Sequence, residues 1–212
     1  MSIKRTIVYI DGFNLYYCAL KKSAFKWLDL DLLCNNLLPS SKHQIIKIKY
    51  FSARISARPD DPQAPTRQDV YWRALKKHCP NIEIIEGFFL RSEKFSHLAP
   101  SAGHGIVKTI KTEEKGSDVN LAVHMLNDAW KNNYDCAVML SNDSDMYESL
   151  RLIKSDCTKQ IGWVYFDFPN VHISQKINNI VDFKLRLSNS ILQKSQLPNN
   201  IPGTTICKPK SW

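Results

Sequence analysis

Short apolar runs rich in β-branched and aromatic residues alternate along this chain with segments of helical period. That alternation predicts an α/β fold around a mainly parallel sheet. Thr6 to Ile10 is a continuous apolar run, as expected of a strand buried on both faces, and it stops at Asp11-Gly12. Residues 45–55, 82–90, 135–140 and 160–166 supply four more strands, giving about five in all. Helices are predicted over 14–22, 28–38, 66–78 and 174–193. Thr66 is read as a helix cap, with Asp69 as its capping-box partner. The clearest helix starts at Gly116-Ser117-Asp118. Val119, Ala122, Val123, Leu126 and Trp130 repeat as a buried stripe should, which leaves Asn120, His124, Asn127, Asp128 and Lys131 wet. Residues 91–111 form a long polar connection that is functional or hides further strands, and His97 and His104 lie in it.

The 212 residues suit one domain, and 43% hydrophobic with 23% charged residues is ordinary for a folded protein. No apolar run approaches the roughly 20 residues of a membrane helix, and the N-terminal run is too short for a secretory signal. A cytoplasmic protein is expected. The six cysteines contain no C-x-x-C pair and read as free thiols.

Charge changes this picture. The net charge is +9, yet residues 116–182 carry nine acidic groups against five basic ones. Residues 183–212 carry five basic groups and no acid. Basic surface favours a polyanion, and an acidic pocket within it favours a divalent cation. Arg54, Arg58, Arg67, Arg73, Lys108, Lys111 and Lys115 are candidate phosphate contacts, with Arg54, Arg67 and Lys115 expected to flank the acidic pocket. Phe13, Tyr16, Tyr17 and Phe51 are candidates to stack bases, and core packing is the competing explanation for most of them.

The acidic residues recur in one structural place. Asp11 ends the first strand, Asp143 and Asp145 follow the fourth, and Asp118 opens the helix before it. Ligands of an open parallel sheet bind beyond the carboxyl ends of its strands, near a switch in strand order. If the first and fourth strands are neighbours, Asp11, Asp118 and Asp143 surround one pocket. Clustered carboxylates raise one another's pKa values, and Mg²⁺ or Mn²⁺ resolves the repulsion. Taken singly, each acid is also explained as a turn residue or a helix cap.

Ile10-Asp11-Gly12-Phe13-Asn14-Leu15-Tyr16, Glu114-Lys115-Gly116-Ser117-Asp118-Val119 and Ser141-Asn142-Asp143-Ser144-Asp145 resemble, in order, the three motifs of the NYN domain family of PIN-like nucleases. The resemblance covers roughly residues 5–187. Pro65-Thr66-Arg67-Gln68 and the segment from Ser195 to Trp212 are similar to one bacterial branch. The resemblance implies a Rossmann-like, three-layer PIN fold over residues 1–187, followed by a basic tail over 188–212. It also implies metal-dependent hydrolysis of RNA, single-stranded or in loops. By motif, Asp11, Asp118 and Asp143 are the implied ligands of Mg²⁺ or Mn²⁺, with Asp145 beside them as a catalytic group. Asn14, Ser141 and Asn142 are implied substrate-side residues. Two positions depart from the pattern. His124 stands where many members have an acid, and Asn142 stands where many have glycine. Rival expectations are an RNA-binding module without turnover, a phosphatase using Asp143-x-Asp145, and an aromatic-ring hydroxylase, a label some branch members carry. Association into a homo-oligomer is left open.

Overall fold

The computed structural model describes residues 2–98, 103, 105–169, 171 and 173–212. His104 lies outside the described residues. The chain begins with β1 (Lys4–Asp11), a short helix α1 (Gly12–Leu15) and a π-helical turn, Tyr16–Leu20. It continues through α2 (Leu30–Leu37), β2 (His43–Ala53), α3 (Ala64–His78), β3 (Ile82–His97) and β4 (Ile106–Lys115). Then come α4 (Ser117–Trp130), β5 (Cys136–Leu140), a 3-10 turn at Ser144–Met146 and α5 (Tyr147–Cys157). The last elements are β6 (Gln160–Phe166), α6 (Gln175–Ile180), β7 (Phe183–Leu187) and α7 (Asn189–Lys194).

Seven strands form one sheet in the order β4-β3-β2-β1-β5-β6-β7, all parallel except the β3–β4 pair. The expected five-strand sheet is therefore two strands short. β3 enters the parallel sheet through Ile82–Gly87 and continues as a hairpin, Phe88–His97 against Ile106–Lys115. Most of that hairpin is exposed, so it lacks the continuous or alternating apolar signature of a buried strand. His97 consequently ends a strand instead of lying in a loop. β7 replaces the middle of the helix expected over 174–193, because Phe183-Lys184-Leu185-Arg186-Leu187 alternates with period two.

Two hydrophobic cores flank the sheet. Successive β1 residues feed opposite sides: Val8 and Ile10 meet α2, α3 and α7, while Ile7 and Tyr9 meet α4, α5 and α6. The segment after α7 belongs to the first core, where Leu197, Ile201 and Ile206 are buried. Trp27 Nε1 donates to the Pro198 carbonyl at 2.9 Å, and the Trp212 ring meets Trp27 and Tyr71 edge-on. All six cysteines are free. No helix among the described residues is long and apolar enough to cross a membrane.

Two helix expectations change. α3 starts at Ala64 with Pro65 in its first turn, so Thr66 is no cap, and Asp69 pairs with Arg54 and Arg73. On α4 the buried face is Leu121, Met125, Asp128 and Ala129, whereas Val119 (65%) and Trp130 (63%) are exposed. Asp128, expected in solvent, is buried against Lys49 of β2 at 2.6 Å and accepts from the Tyr9 hydroxyl at 2.8 Å. With Asp128 on the buried side, Val119, Val123 and Trp130 face solvent, while Ala122 and Leu126 of the expected stripe stay partly buried against the second core.

Candidate functional site

β1 and β5 are neighbours, and strand order reverses between them: β2 to β4 lie on one side of β1, β5 to β7 on the other. This is the switch point at which open α/β sheets bind ligands. Asp11 is the last residue of β1, and Ser141 follows the last residue of β5.

Asp11 is 4% exposed and held from two directions. The Asn14 backbone N–H donates to Oδ1, and the Ser141 hydroxyl donates to Oδ2, both at 2.9 Å. The first bond makes Asp11 the cap of α1; the second ties the ends of β1 and β5 together. Gly12 lets β2 approach, since a Cβ there would sit 2.6 Å from the Tyr50 ring and 2.7 Å from the Phe51 carbonyl oxygen. The Asn142 N–H donates to Asn14 Oδ1 at 3.0 Å. The Asn142 amide in turn clamps the backbone of Phe166 at the end of β6 with bonds of 3.0 and 2.9 Å. Asn14, Ser141 and Asn142 thus work as the frame that fixes the Asp11 carboxylate and the start of the loop carrying Asp143.

Asp143 is partly buried, and the Asp145 N–H donates to its Oδ1 at 3.0 Å, which caps the 3-10 turn. Asp143 N–H donates to Ser141 Oγ at 3.1 Å. Asp118 is exposed in the first turn of α4, near enough for its charge to act on Asp11. Gly116, at φ +95°, supplies the left-handed residue that turns β4 into that helix.

Electrostatics joins these side chains. Burial pushes the Asp11 carboxyl up to about 6, against the hydrogen bonds from Asn14 and Ser141 that lower it, and the Asp118 and Asp143 charges raise it further. Asp118 is raised by desolvation first, then by Asp143, Glu114 and Asp145. The structure therefore couples Asp11, Asp118, Asp143 and Asp145 electrostatically. It adds Glu114, whose Oε1 accepts from both the N–H and the hydroxyl of Ser117 at 3.1 and 2.7 Å. Glu114 stands in the second motif, four residues before Asp118, and that spacing is its only signal in the sequence.

Among the described residues, no three His, Cys, Asp or Glu side chains are gathered closely enough to hold one metal ion. The carboxylates form an open rim instead of a closed cage. Their chemistry fits a hard cation gripped by one or two carboxylates and otherwise by water. Asp11 also retains acceptor capacity, since a carboxylate offers about four lone-pair sites and two are used.

The three basic candidates expected beside the pocket are each paired with acids. Arg54 pairs with Glu86 at 3.0 Å and Asp69 at 3.3 Å and lies over the Trp72 ring. Arg67 pairs with Asp61, and Lys115 lies 3.8 Å from Glu113. No hydrogen bond or ion pair among the described residues joins any of the three to Asp11, Asp118 or Asp143. Of the candidate stacking residues, Phe51 is fully buried in the core, while Tyr17 is half exposed. His124 faces Lys49 at 3.2 Å and packs edge-on against Phe51, away from the acidic rim.

The chain belongs to the NYN domain family, whose domain matches residues 5–182. The chain is 33% identical over 239 residues to the 6-hydroxy-3-succinoylpyridine 3-monooxygenase HspA of Pseudomonas putida, an alignment spanning 98% of this chain and 75% of that protein. Its fold is similar to the crystal structure of a protein of unknown function from Vibrio parahaemolyticus, with a TM-score of 0.54 and 15% identity over 92% of this chain and 97% of that one. That likeness concerns the fold alone.

Proposed function

We propose that this chain is a nuclease that uses Mg²⁺ or Mn²⁺ to hydrolyse phosphodiester bonds of RNA, with single-stranded segments as substrate. Membership of the NYN family supports nuclease-type chemistry. The observation that carries the reading is the Asp11 carboxylate, fixed by Asn14 and Ser141, raised chiefly by its burial and further by the charges of Asp118 and Asp143. Like charges held together this way destabilise a protein until a cation neutralises them. Of Asp11, Asp118 and Asp143, one or two would grip that cation directly and the rest through water, with Asp145 beside them. Bound there, a divalent ion lowers the pKa of a coordinated water and offsets charge on the phosphate. Ser141 and Asn14 keep the Asp11 oxygens aimed at the rim. Arg54, Arg67 and Lys115 supply positive charge for the backbone once phosphate displaces their acidic partners. The test is incubation of the pure protein with end-labelled single-stranded RNA and DNA, with Mn²⁺ and with EDTA. Metal-dependent shortening of the RNA supports the reading.

One observation favours a second reading. The relative from Pseudomonas putida is named as a monooxygenase, and its identity extends across this chain. Oxygenation requires dioxygen and an electron donor, which a nicotinamide or flavin commonly supplies. Only Gly103-x-Gly105 hints at a dinucleotide loop here, and Lys108 stands where its third glycine would fall. NADH consumption stimulated by a hydroxypyridine, with no RNA cleavage, would establish this second activity instead.

A further inference from the structure

A cavity of about 230 Å³ opens between the turn after Asp11 and helix α3. Aromatic side chains are prominent in its lining, among them Tyr16, Tyr17, Trp212 and the buried Trp72. Arg58 and Arg67 stand among them, Arg67 paired with Asp61; Asp60 and Asp61 in the lining are outnumbered by these two arginines with Lys21 and Lys26. The tyrosines come from the π-helical turn, a rare widening of a helix that is frequent at functional sites. Their rings meet edge-on at 5.3 Å, and Tyr17 is 50% exposed, with the Phe13 ring stacked beside it at 6.5 Å and Lys21 Nζ 5.0 Å from its centroid, an aromatic edge with a cation on it.

We infer that this cavity binds a planar aromatic ring carrying an anionic group, and that its ligand is one unpaired nucleotide of the substrate strand. Aromatic walls offer π faces on which any base can stack. Guanidinium groups match the oxygens of a phosphate. The volume is below the roughly 300–1,000 Å³ of drug-sized sites, so the cavity takes the base of one nucleotide and leaves its sugar and phosphate at the mouth. Gly12 and Phe13 belong both to its wall and to the turn leaving Asp11, which puts a seated nucleotide next to the acidic rim. A role in positioning RNA rests on the nuclease reading; affinity for a nucleotide does not.

The test is a binding titration of the whole chain in EDTA, read by quenching of tryptophan fluorescence, since Trp72 and Trp212 line the cavity. The probes are UMP, AMP, uridine, ribose 5-phosphate and nicotinate. UMP and AMP are expected to quench, with ribose 5-phosphate at least about tenfold weaker. Tyr17→Ala should weaken nucleotide binding about tenfold, while Tyr17→Phe retains it. Arg58→Gln should reduce UMP to the affinity of uridine. Binding of nicotinate without nucleotides would assign the cavity to a free aromatic acid and overturn the proposal. So would a lack of quenching by every probe, or unchanged nucleotide affinity in Tyr17→Ala and Trp212→Ala. The nuclease reading fails separately: a protein that binds UMP here and never cleaves RNA keeps the nucleotide site and loses the activity.

Discussion

Replacing Asp11 by Asn removes a buried charge while leaving the shape of the site intact. Burial, with help from Asp118 and Asp143, raises the Asp11 carboxyl to about 6 in the folded protein. An unfolded chain has an ordinary Asp value near 3.9. The difference is about two pH units, at 1.36 kcal/mol each, or roughly 3 kcal/mol. The sign follows from which form the fold disfavours. A raised carboxyl means that the fold penalises the ionised form, so the wild type is destabilised above about pH 6. It recovers as the pH falls from 6 towards 4 and Asp11 takes up its proton. The Asn variant carries no such penalty. In EDTA at pH 7.5 it should therefore be more stable than wild type by up to about 3 kcal/mol. At this chain length that corresponds to a melting temperature about 6–12 °C higher. The gap should close below about pH 4.5. Urea and thermal unfolding of both proteins from pH 4 to 8 measure it. A variant that is no more stable at pH 7.5, or a gap that does not change with pH, would refute the burial argument for this carboxylate.

Other changes test the packing. Lys49→Met should cost about 3–5 kcal/mol, because it leaves Asp128 buried without its cation; a loss under 1 kcal/mol in urea melts would contradict the buried pair. Deleting residues 195–212 removes buried Leu197, Ile201 and Ile206. At about 1.5–3 kcal/mol each, their loss approaches the whole stability of a domain, so the truncated chain should lack a cooperative melting transition. Val123→Lys on α4 should change stability by less than about 0.5 kcal/mol, since that side chain is exposed; a loss above 2 kcal/mol would restore the helix face expected from the sequence.

Legibility in the sequence followed burial. β1, β5 and β6 lie in the middle of the sheet, and their continuous apolar runs announce them. The β3–β4 hairpin and β7 lie at the edges, where one or both faces are wet and the pattern dissolves into mixed residues. α4 carries two apolar stripes at helical spacing, Val119–Val123 and Leu121–Met125–Ala129. Packing across β1, β2 and β3 selects the second, and no local rule could have done so. Asp128 escaped notice because its partner Lys49 is 79 residues away. The same distinction holds at the site. Asp11, Asp118 and Asp143 could be placed on one rim from strand order and strand ends. The bonds that fix them, from Ser141 to Asp11 and from Asn142 to Asn14, span 130 and 128 residues and appear only in the folded chain.

Under the proposed function, the rim carboxylates carry metal-dependent cleavage. Its most direct measurement compares wild type and Asp143→Asn on one labelled single-stranded RNA, under single-turnover conditions, with Mn²⁺ and with EDTA. The wild type should cleave with Mn²⁺ and not in EDTA, and the Asn variant should cleave essentially not at all under either condition. As a pure helix cap Asn substitutes well for Asp, so a variant that cleaves at the wild-type rate would contradict the assignment of Asp143 to the chemistry.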